Sequence, residues 1–476
     1  MFRWLLGTLL MAKSAVCMAG SLDNLEVAGQ WGAPTVTNPS AAWWNPAGLA
    51  GGDGIEVLVV GEPTRAVMTF DRDAPNAGSA VYTMQGVLPF AGLAARIADT
   101  GIGLGAAVAV PLARGGEIDD PDAVSRYHLQ TGSIQTIHGI LGAGYEWRDV
   151  VSIGAALHFV DSRWASVLNV DGMVDLGDAM VESGAEQPYT DSDLENPRYA
   201  TELDFGVLAD TAMTWSVGMR LVPHDKWSLG VAHIRPYSVD NQGTVTLGFD
   251  CPPNDGSDPD GRMGAEVLGV CDTTLQANAS VAYDLPARWH FGVESGPWGG
   301  VVIQAMGGWV GWSAYEDFDI TISGAEDRND FETVEQASLT PTLVNQNRLW
   351  ARASNDNWFF GLGGRAELPW VDKRFTLGVR ALFDRAAVPD YALSPNNYDA
   401  DTLSLSSLMQ ARLTERLRLG LGFGHAFVQT RISSDNAFSM TIDPTERAED
   451  RFSYPHANGT YGSSINRAQL AIKVNL

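Results

Sequence analysis

The chain has 476 residues, more than one ordinary domain, with 51 glycines and 31 basic against 57 acidic residues, a formal net charge of −26. A surface this acidic repels nucleic acid rather than binding it. Beyond the first twenty residues no uninterrupted apolar run approaches a membrane-spanning helix, Ala106–Val110 being typical, so a helical membrane protein is excluded.

The mean hydropathy of −0.06 is still compatible with a transmembrane barrel, in which lipid-facing and lumen-facing residues alternate and cancel. Residues 1–19 read as an export signal. Arg3 supplies the positive charge, Trp4–Met11 the short apolar core, and Cys17-Met18-Ala19 a small–x–small cleavage site. Cleavage there removes Arg3 and Lys13 and takes the net charge from −26 to −28. Lipidation of Cys17 is the weaker reading, because Val16 suits it poorly. Residues 20–54 are rich in turn and small residues and show no strand alternation, yet they carry Trp31, Trp43 and Trp44. Burial of each ring is worth about 1.5–3 kcal/mol or more, which favours a packed segment in the lumen over one free in the periplasm.

From Ile55 to Leu476 the pattern is period-two. Trp215, Val217, Met219 and Leu221 alternate with Ser216, Gly218 and Arg220. Trp289, Phe291 and Val293 alternate with His290, Gly292 and Glu294. Phe375–Phe383 and Leu417–Phe423 repeat the theme, and Leu470, Ile472, Val474 and Leu476 carry it to the end. One strand alone does not separate a soluble sandwich from a membrane barrel. Recurrence over the whole chain, with acidic or glycine-rich connections and aromatic residues at strand ends (Trp227, Tyr237, Trp298, Trp312 and Trp370), favours an all-β transmembrane antiparallel barrel over residues 55–476.

Once the signal is removed, Cys251 and Cys271 remain, flanking the turn-rich Pro252–Gly261 stretch, and in an oxidising compartment they are expected to form a disulfide across a long loop. That stretch lacks the ligand alternation and closing Glu of an EF-hand, and the eight histidines show no ligand spacing, so no metal or cofactor is expected. There is no H-E-x-x-H, G-x-S-x-G or P-loop, so no enzyme is expected. The glycines of Gly101-Ile102-Gly103-Leu104-Gly105, followed by Pro111, read either as a bulged, kinked strand or as small inward residues that make room for a plug. Both readings remain open.

Leu22–Gly29 followed by Asn38–Ala50, with Asn45-Pro46-Ala47 at its centre, resembles the N-terminal hatch of the FadL/OmpP1/TodX family. Leu285-Pro286-Ala287-Arg288-Trp289, Trp312-Ser313, Leu377–Arg380 and Asn396–Asp401 are similar to that family's later strands and loops. The resemblance implies a barrel of about 14 strands in the outer membrane, embedded in its lipid, monomeric, with a hatch plugging the lumen. It implies passive uptake of long-chain fatty acids or similar hydrophobic molecules, caught outside and released sideways through a kinked third strand. Asn45 would then tie hatch to wall, Trp31, Trp43 and Trp44 would pack the hatch, and Gly101, Gly103, Gly105 and Pro111 would mark the opening. Leu22, Leu25 and Val27 either reach the ligand pocket or only pack the plug. Uptake of aromatic or aliphatic hydrocarbons, and a non-transporting adhesin or receptor, are the alternatives. Leu476 departs from the terminal aromatic residue common in such barrels.

Overall fold

The computed structural model describes residues 24–73, 77–171, 200–249, 273–324, 347–369, 374–434 and 457–476. Residues 1–19, Leu22, Cys251, Cys271 and Trp370 therefore lie outside the described residues.

Among the described residues nineteen strand segments form one sheet. The first six are long: β1 (Ile55–Arg72), β2 (Gly78–Ile97), β3 (Ile102–Ile118), β4 (Thr131–Trp147), β5 (Val151–Asp171) and β6 (Ala200–His224). Then come β7 (Trp227–Ile234) and β8 (Tyr237–Phe249), β9 (Thr273–Leu285) and β10 (Arg288–Trp298), β11 (Val301–Val310) and β12 (Asp317–Ser323), and β13 (Asn347–Ala351) and β14 (Asn357–Glu367). β15 (Phe375–Asp384), β16 (Thr402–Arg412), β17 (Leu417–Val428), β18 (Arg431–Ser433) and β19 (Gly459–Asn475) complete the set. Five staves are interrupted (β7/β8, β9/β10, β11/β12, β13/β14 and β17/β18), so the nineteen segments make a closed antiparallel barrel of 14 staves. Prolines occupy two of the interruptions, Pro236 between β7 and β8 and Pro286 between β9 and β10, where a missing ladder donor does least harm.

Closure comes from β19, which pairs with β1 from Glu56↔Asn475 to Arg72↔Gly459 and with β17 on its other edge. Leu476 adds a further backbone hydrogen bond to the Ile55 carbonyl at 2.8 Å. The first and last strands are thereby paired to each other, so the sheet has no free edge strand facing hydrocarbon among the described residues.

The direction of the apolar faces separates the two architectures that the sequence left open. Val217, Met219, Phe291, Val379, Leu421, Phe423 and Leu470 are all exposed, Phe423 at 67%. Their alternate neighbours Ser216, His290, Arg380 and Gln469 are buried. An apolar exterior with polar side chains turned inward behind it suits a wall in lipid and would be an aggregation hazard in water. Short turns such as Ala98–Gly101 and Gly299–Gly300 gather at the end where β1 begins, which marks that end as periplasmic. Trp147, Trp227 and Trp298 stand exposed at those turns, as an interfacial girdle requires.

Two aromatic residues assigned to the girdle do not belong to it. Trp312 is 1% exposed, in a 3-10 turn after β11, packed on Tyr315 at 5.3 Å. Tyr237, just past Pro236, turns inward and its hydroxyl lies 3.0 Å from His138 Nε2. Both follow an interruption in a stave, where the alternation restarts and an end position no longer predicts a face.

Candidate functional site

Residues Asn24–Gly52 lie within the ring of staves. The segment touches the wall on β3, β4, β5, β6, β10, β11, β15 and β19, where inward positions are glycine or carry a fitted polar group. Gln30 N–H donates to Gln469 Oε1 on β19 at 2.9 Å. Arg380 on β15 donates to the carbonyls of Gln30 (2.6 Å) and Gly32 (3.2 Å). Gln304 on β11 reaches Thr35 Oγ1 at 3.4 Å. The Glu26 carboxylate pairs with the Arg467 guanidinium, both wholly buried.

Asn45 is fully buried and uses its whole amide. Its Nδ2 donates to the Pro34 carbonyl (2.8 Å) and to the Met219 carbonyl of β6 (3.0 Å), while Oδ1 accepts from Ala47 N–H at 3.2 Å. The side chain thus caps the 3-10 helix Pro46–Gly51, with Pro46 at its first position, and ties it to the wall. A short α-helix, α1 (Ala41–Trp44), precedes it. Trp43 of α1 packs edge-on to His138 (5.4 Å) and His158 (5.9 Å), and Trp44 on His290 (5.1 Å), its indole N–H donating to the Val27 carbonyl at 2.9 Å. Trp31, half-buried, lies over Gly378 and Gly363 on the opposite side.

The wall beneath this segment is stripped to backbone. A Cβ at Gly218 would stand 2.1 Å from Asn45 Oδ1, one at Gly154 2.4 Å from Ala47 N, and one at Gly230 2.2 Å from the Pro34 carbonyl oxygen. Gly103 and Gly105 belong to the same seat, their Cβ positions 2.0 Å from Leu49 O and 2.6 Å from Leu49 Cδ2. Both pair regularly, Gly103 with Arg96 and Gly144, Gly105 with Ala94 and Gly142. Gly101 lies in the turn before β3, at φ +70. Of the two readings left open for these glycines, the geometry favours room for the inner segment at Gly103 and Gly105, while Gly101 only shapes the turn against the Glu146 carbonyl.

The irregularity lies further along the same strand. β3 pairs with β2 up to Phe90↔Ala109 and resumes only at Thr83↔Glu117, and its register against β4 shifts between Ala109 and Leu112. Pro111 sits in this break. Leu88, Val110, Ala113 and Ile137 form a small apolar cluster of their own there. Two orphaned carbonyls are taken up from inside: Asn24 N–H donates to Pro111 O at 2.9 Å and Asn24 Nδ2 to Val110 O at 3.2 Å. Val27 lies close by with Leu88, Phe90 and Val110, lining a small recess. Leu25 is buried in the main core.

Above the break is a second pocket, lined by Met68, Met84, Ile134, Trp164 and Phe318 together with two arginines, Arg114 and Arg352. Arg352 stacks on Phe318 at 4.0 Å and donates to the Asn396 carbonyl at 2.8 Å, while its buried Nε has no partner. Burial lowers its pKa to about 10, which leaves it charged at neutral pH. Arg114 donates to the Tyr398 carbonyl. The roof is the loop 385–401, tied down by Arg431, which donates to Val388 O and Asp399 O at 2.7 Å each, and by Asn397, which donates to Arg352 O at 2.9 Å. Free space inside is only about 70 Å³, too little for a long chain. A ligand has to displace the lining, and the two methionines are the side chains most able to re-pack. Sequence reasoning missed both arginines. They lie 238 positions apart in the numbering, and no local pattern joins them.

Residues 19–455 match the model of the outer membrane protein transport protein family (OMPP1/FadL/TodX). The chain belongs to this family. The fold agrees with solved relatives at low identity. A Pseudomonas aeruginosa FadL homologue superposes with a TM-score of 0.71 at 16% identity, covering 97% of this chain and 99% of that one. The P. putida toluene transporter TodX gives 0.65 at 14% over 92% and 94%, and the Ralstonia pickettii toluene transporter TbuX 0.61 at 13% over 96% and 99%. Among curated proteins none matches. The family assignment makes the protein an outer-membrane barrel of a class that transports hydrophobic compounds.

Proposed function

We propose that this barrel takes up long-chain fatty acids or closely similar amphipathic carboxylates, passively, and releases them sideways into the membrane through the break between β2 and β3. The pairing of Arg114 and Arg352 with Met68, Met84, Ile134, Trp164 and Phe318 in one pocket carries this reading. A hydrocarbon has no use for two guanidinium groups, whereas a carboxylate gains charge-assisted hydrogen bonds from them. The apolar cluster at Leu88, Val110, Ala113 and Ile137 would then lead the tail outward, and sideways exit spares it passage through water. The inner segment acts as the hatch: Asn45 and the glycine seat hold it, and Asn24 seals the break until ligand displaces it. On this reading residues 20–54 are the hatch unit and 55–476 the wall, and the disulfide expected between Cys251 and Cys271 lies outside the described residues.

Binding of oleate, methyl oleate and toluene to purified protein tests the substrate class. Oleate is expected to bind more tightly than its ester, and Arg352→Gln to weaken oleate by about tenfold, the cost of one hydrogen bond to a charged group, with toluene unaffected. Equal affinity for oleate and methyl oleate, with tight toluene binding, would favour hydrocarbon uptake.

A further inference from the structure

The outer face of the barrel carries a recess that uptake does not use. It has a volume of about 1490 Å³ and is lined from Val87 on β2, across β1, β19, β17, β16, β15 and β14, to Ile303 on β11. A wall convex all the way round cannot share one recess among eight neighbouring staves, so it bends inward here. Most of the lining is apolar and lipid-facing: Ile303, Leu362, Val379, Leu405 and Phe423 are 46–67% exposed.

Across four neighbouring staves the lining becomes polar. Arg65 on β1 stands opposite Gln85 on β2 and Asn466 on β19, and Asn466 stands opposite His425 on β17, whose Nδ1 lies 2.9 Å from Asn466 Oδ1. Directly opposed residues have Cβ atoms about 4.5–5.5 Å apart, so the four side chains form one row. Arg65 and Gln85 are exposed, and neither side chain has a partner among the described residues. No carboxylate lines the recess.

The level of the row decides what it meets. Arg65 lies ten residues beyond Ile55, the periplasmic start of β1. At about 3.3 Å per residue and a tilt near 40°, that is about 25 Å, the height of the apolar band. Arg65 therefore sits where outer-leaflet headgroups begin, on an inclined row that climbs from His425, eight residues beyond Leu417, to Gln85, twelve residues from Ile97, above a recess shaped for acyl chains. Simple snorkelling explains an arginine at this level, but not three further polar side chains gathered on neighbouring staves around it.

We propose that this recess is a binding site for a phosphorylated saccharolipid of the outer leaflet, of the lipid A type. Arg65 grips the phosphate through its planar fork, Gln85, Asn466 and His425 take the sugar hydroxyls, and the acyl chains lie along the recess. A second copy of the chain fits poorly, because a two-fold interface must match a patch to itself and a concave face does not.

Native mass measurement of the detergent-purified barrel, titrated with lipid A, tests this. One lipid A per barrel is expected, retained against phosphatidylglycerol. Arg65→Ala should weaken it about fivefold, the effect of one basic residue at an anionic lipid surface, with Arg65→Lys partly restoring it and Asn466→Ala giving a smaller loss. The control Arg163→Ala, on the outer face of β5 and paired with Asp161, should retain lipid as wild type does. Heat-modifiability confirms that each variant is folded. Wild-type retention in Arg65→Ala, equal loss in Arg163→Ala, displacement by phosphatidylglycerol, or a barrel dimer in place of the lipid would each overturn the proposal.

Discussion

The two halves of β3 behave differently. Ile102–Ala109 pairs with β2 along one edge and β4 along the other, and its inward glycines let the Leu49 backbone lie against the wall. Val110–Gly116 has no ladder to β2, and side chains fill the gap. The lower half therefore rests on backbone contacts that cannot yield without unfolding. The upper half keeps its ladder to β4, but toward β2 it rests on four apolar side chains and the two hydrogen bonds of Asn24, which can part and re-form. Such a division within one strand gives a fixed seat and a movable seam at little cost in barrel stability.

The largest effect should come from locking the seam. The double variant Leu88→Cys/Val110→Cys, oxidised, is expected to stop uptake of a labelled fatty acid and to recover it on reduction, with neither single variant doing so. Uptake that continues with the cross-link formed would move the exit elsewhere.

Next comes the seat. Gly218→Leu places a side chain where Asn45 Oδ1 now lies, and overpacking of this kind costs about 1–3 kcal/mol or more. The inner segment should be displaced while the barrel remains heat-modifiable, so that liposomes carrying it leak small hydrophilic solutes. Asn45→Ala should produce a smaller leak in the same assay. It leaves the Pro34 and Met219 carbonyls short of a donor, at about 1–3 kcal/mol for a buried group left unsatisfied. If neither variant leaks, the seat does not seal the lumen.

The smallest effect is local to the roof. Burial raises the pKa of Asp399 from 3.8 to about 6, against hydrogen bonds from Ala387 and Val388 N–H that favour the charged form. The folded loop thus holds a proton that the unfolded chain releases. Its stabilisation is complete below about pH 3.8 and is lost as pH rises through about 6. Protection of residues 385–401 from proteolysis should fall across that window, and Asp399→Asn, neutral throughout, should remove the step. A step that persists in the variant would assign it to another group.

Much of this was legible in the sequence. Period-two alternation located the wall at Trp215–Leu221, Trp289–Val293 and the C-terminal strand, because side-chain direction along a strand is a local property. The segment around Asn45-Pro46-Ala47 stood out because it lacked alternation while holding three tryptophans. The glycine seat was half legible: Gly103 and Gly105 were noticed and both readings stated, but which one applies depends on Leu49, more than fifty residues away. Strand ends misled at Tyr237 and Trp312, where interrupted staves reset the alternation.

The sequence by itself determined the class of fold, since each strand's pattern is written residue by residue. Only the tertiary structure decided where the strands fail to pair and which distant side chains share a pocket. The β2–β3 break depends on the register of two strands against each other, and Arg114 meets Arg352 only because the ring closes. The bend that sets Val87 and Ile303 in one recess likewise belongs to the closed wall, not to any strand within it.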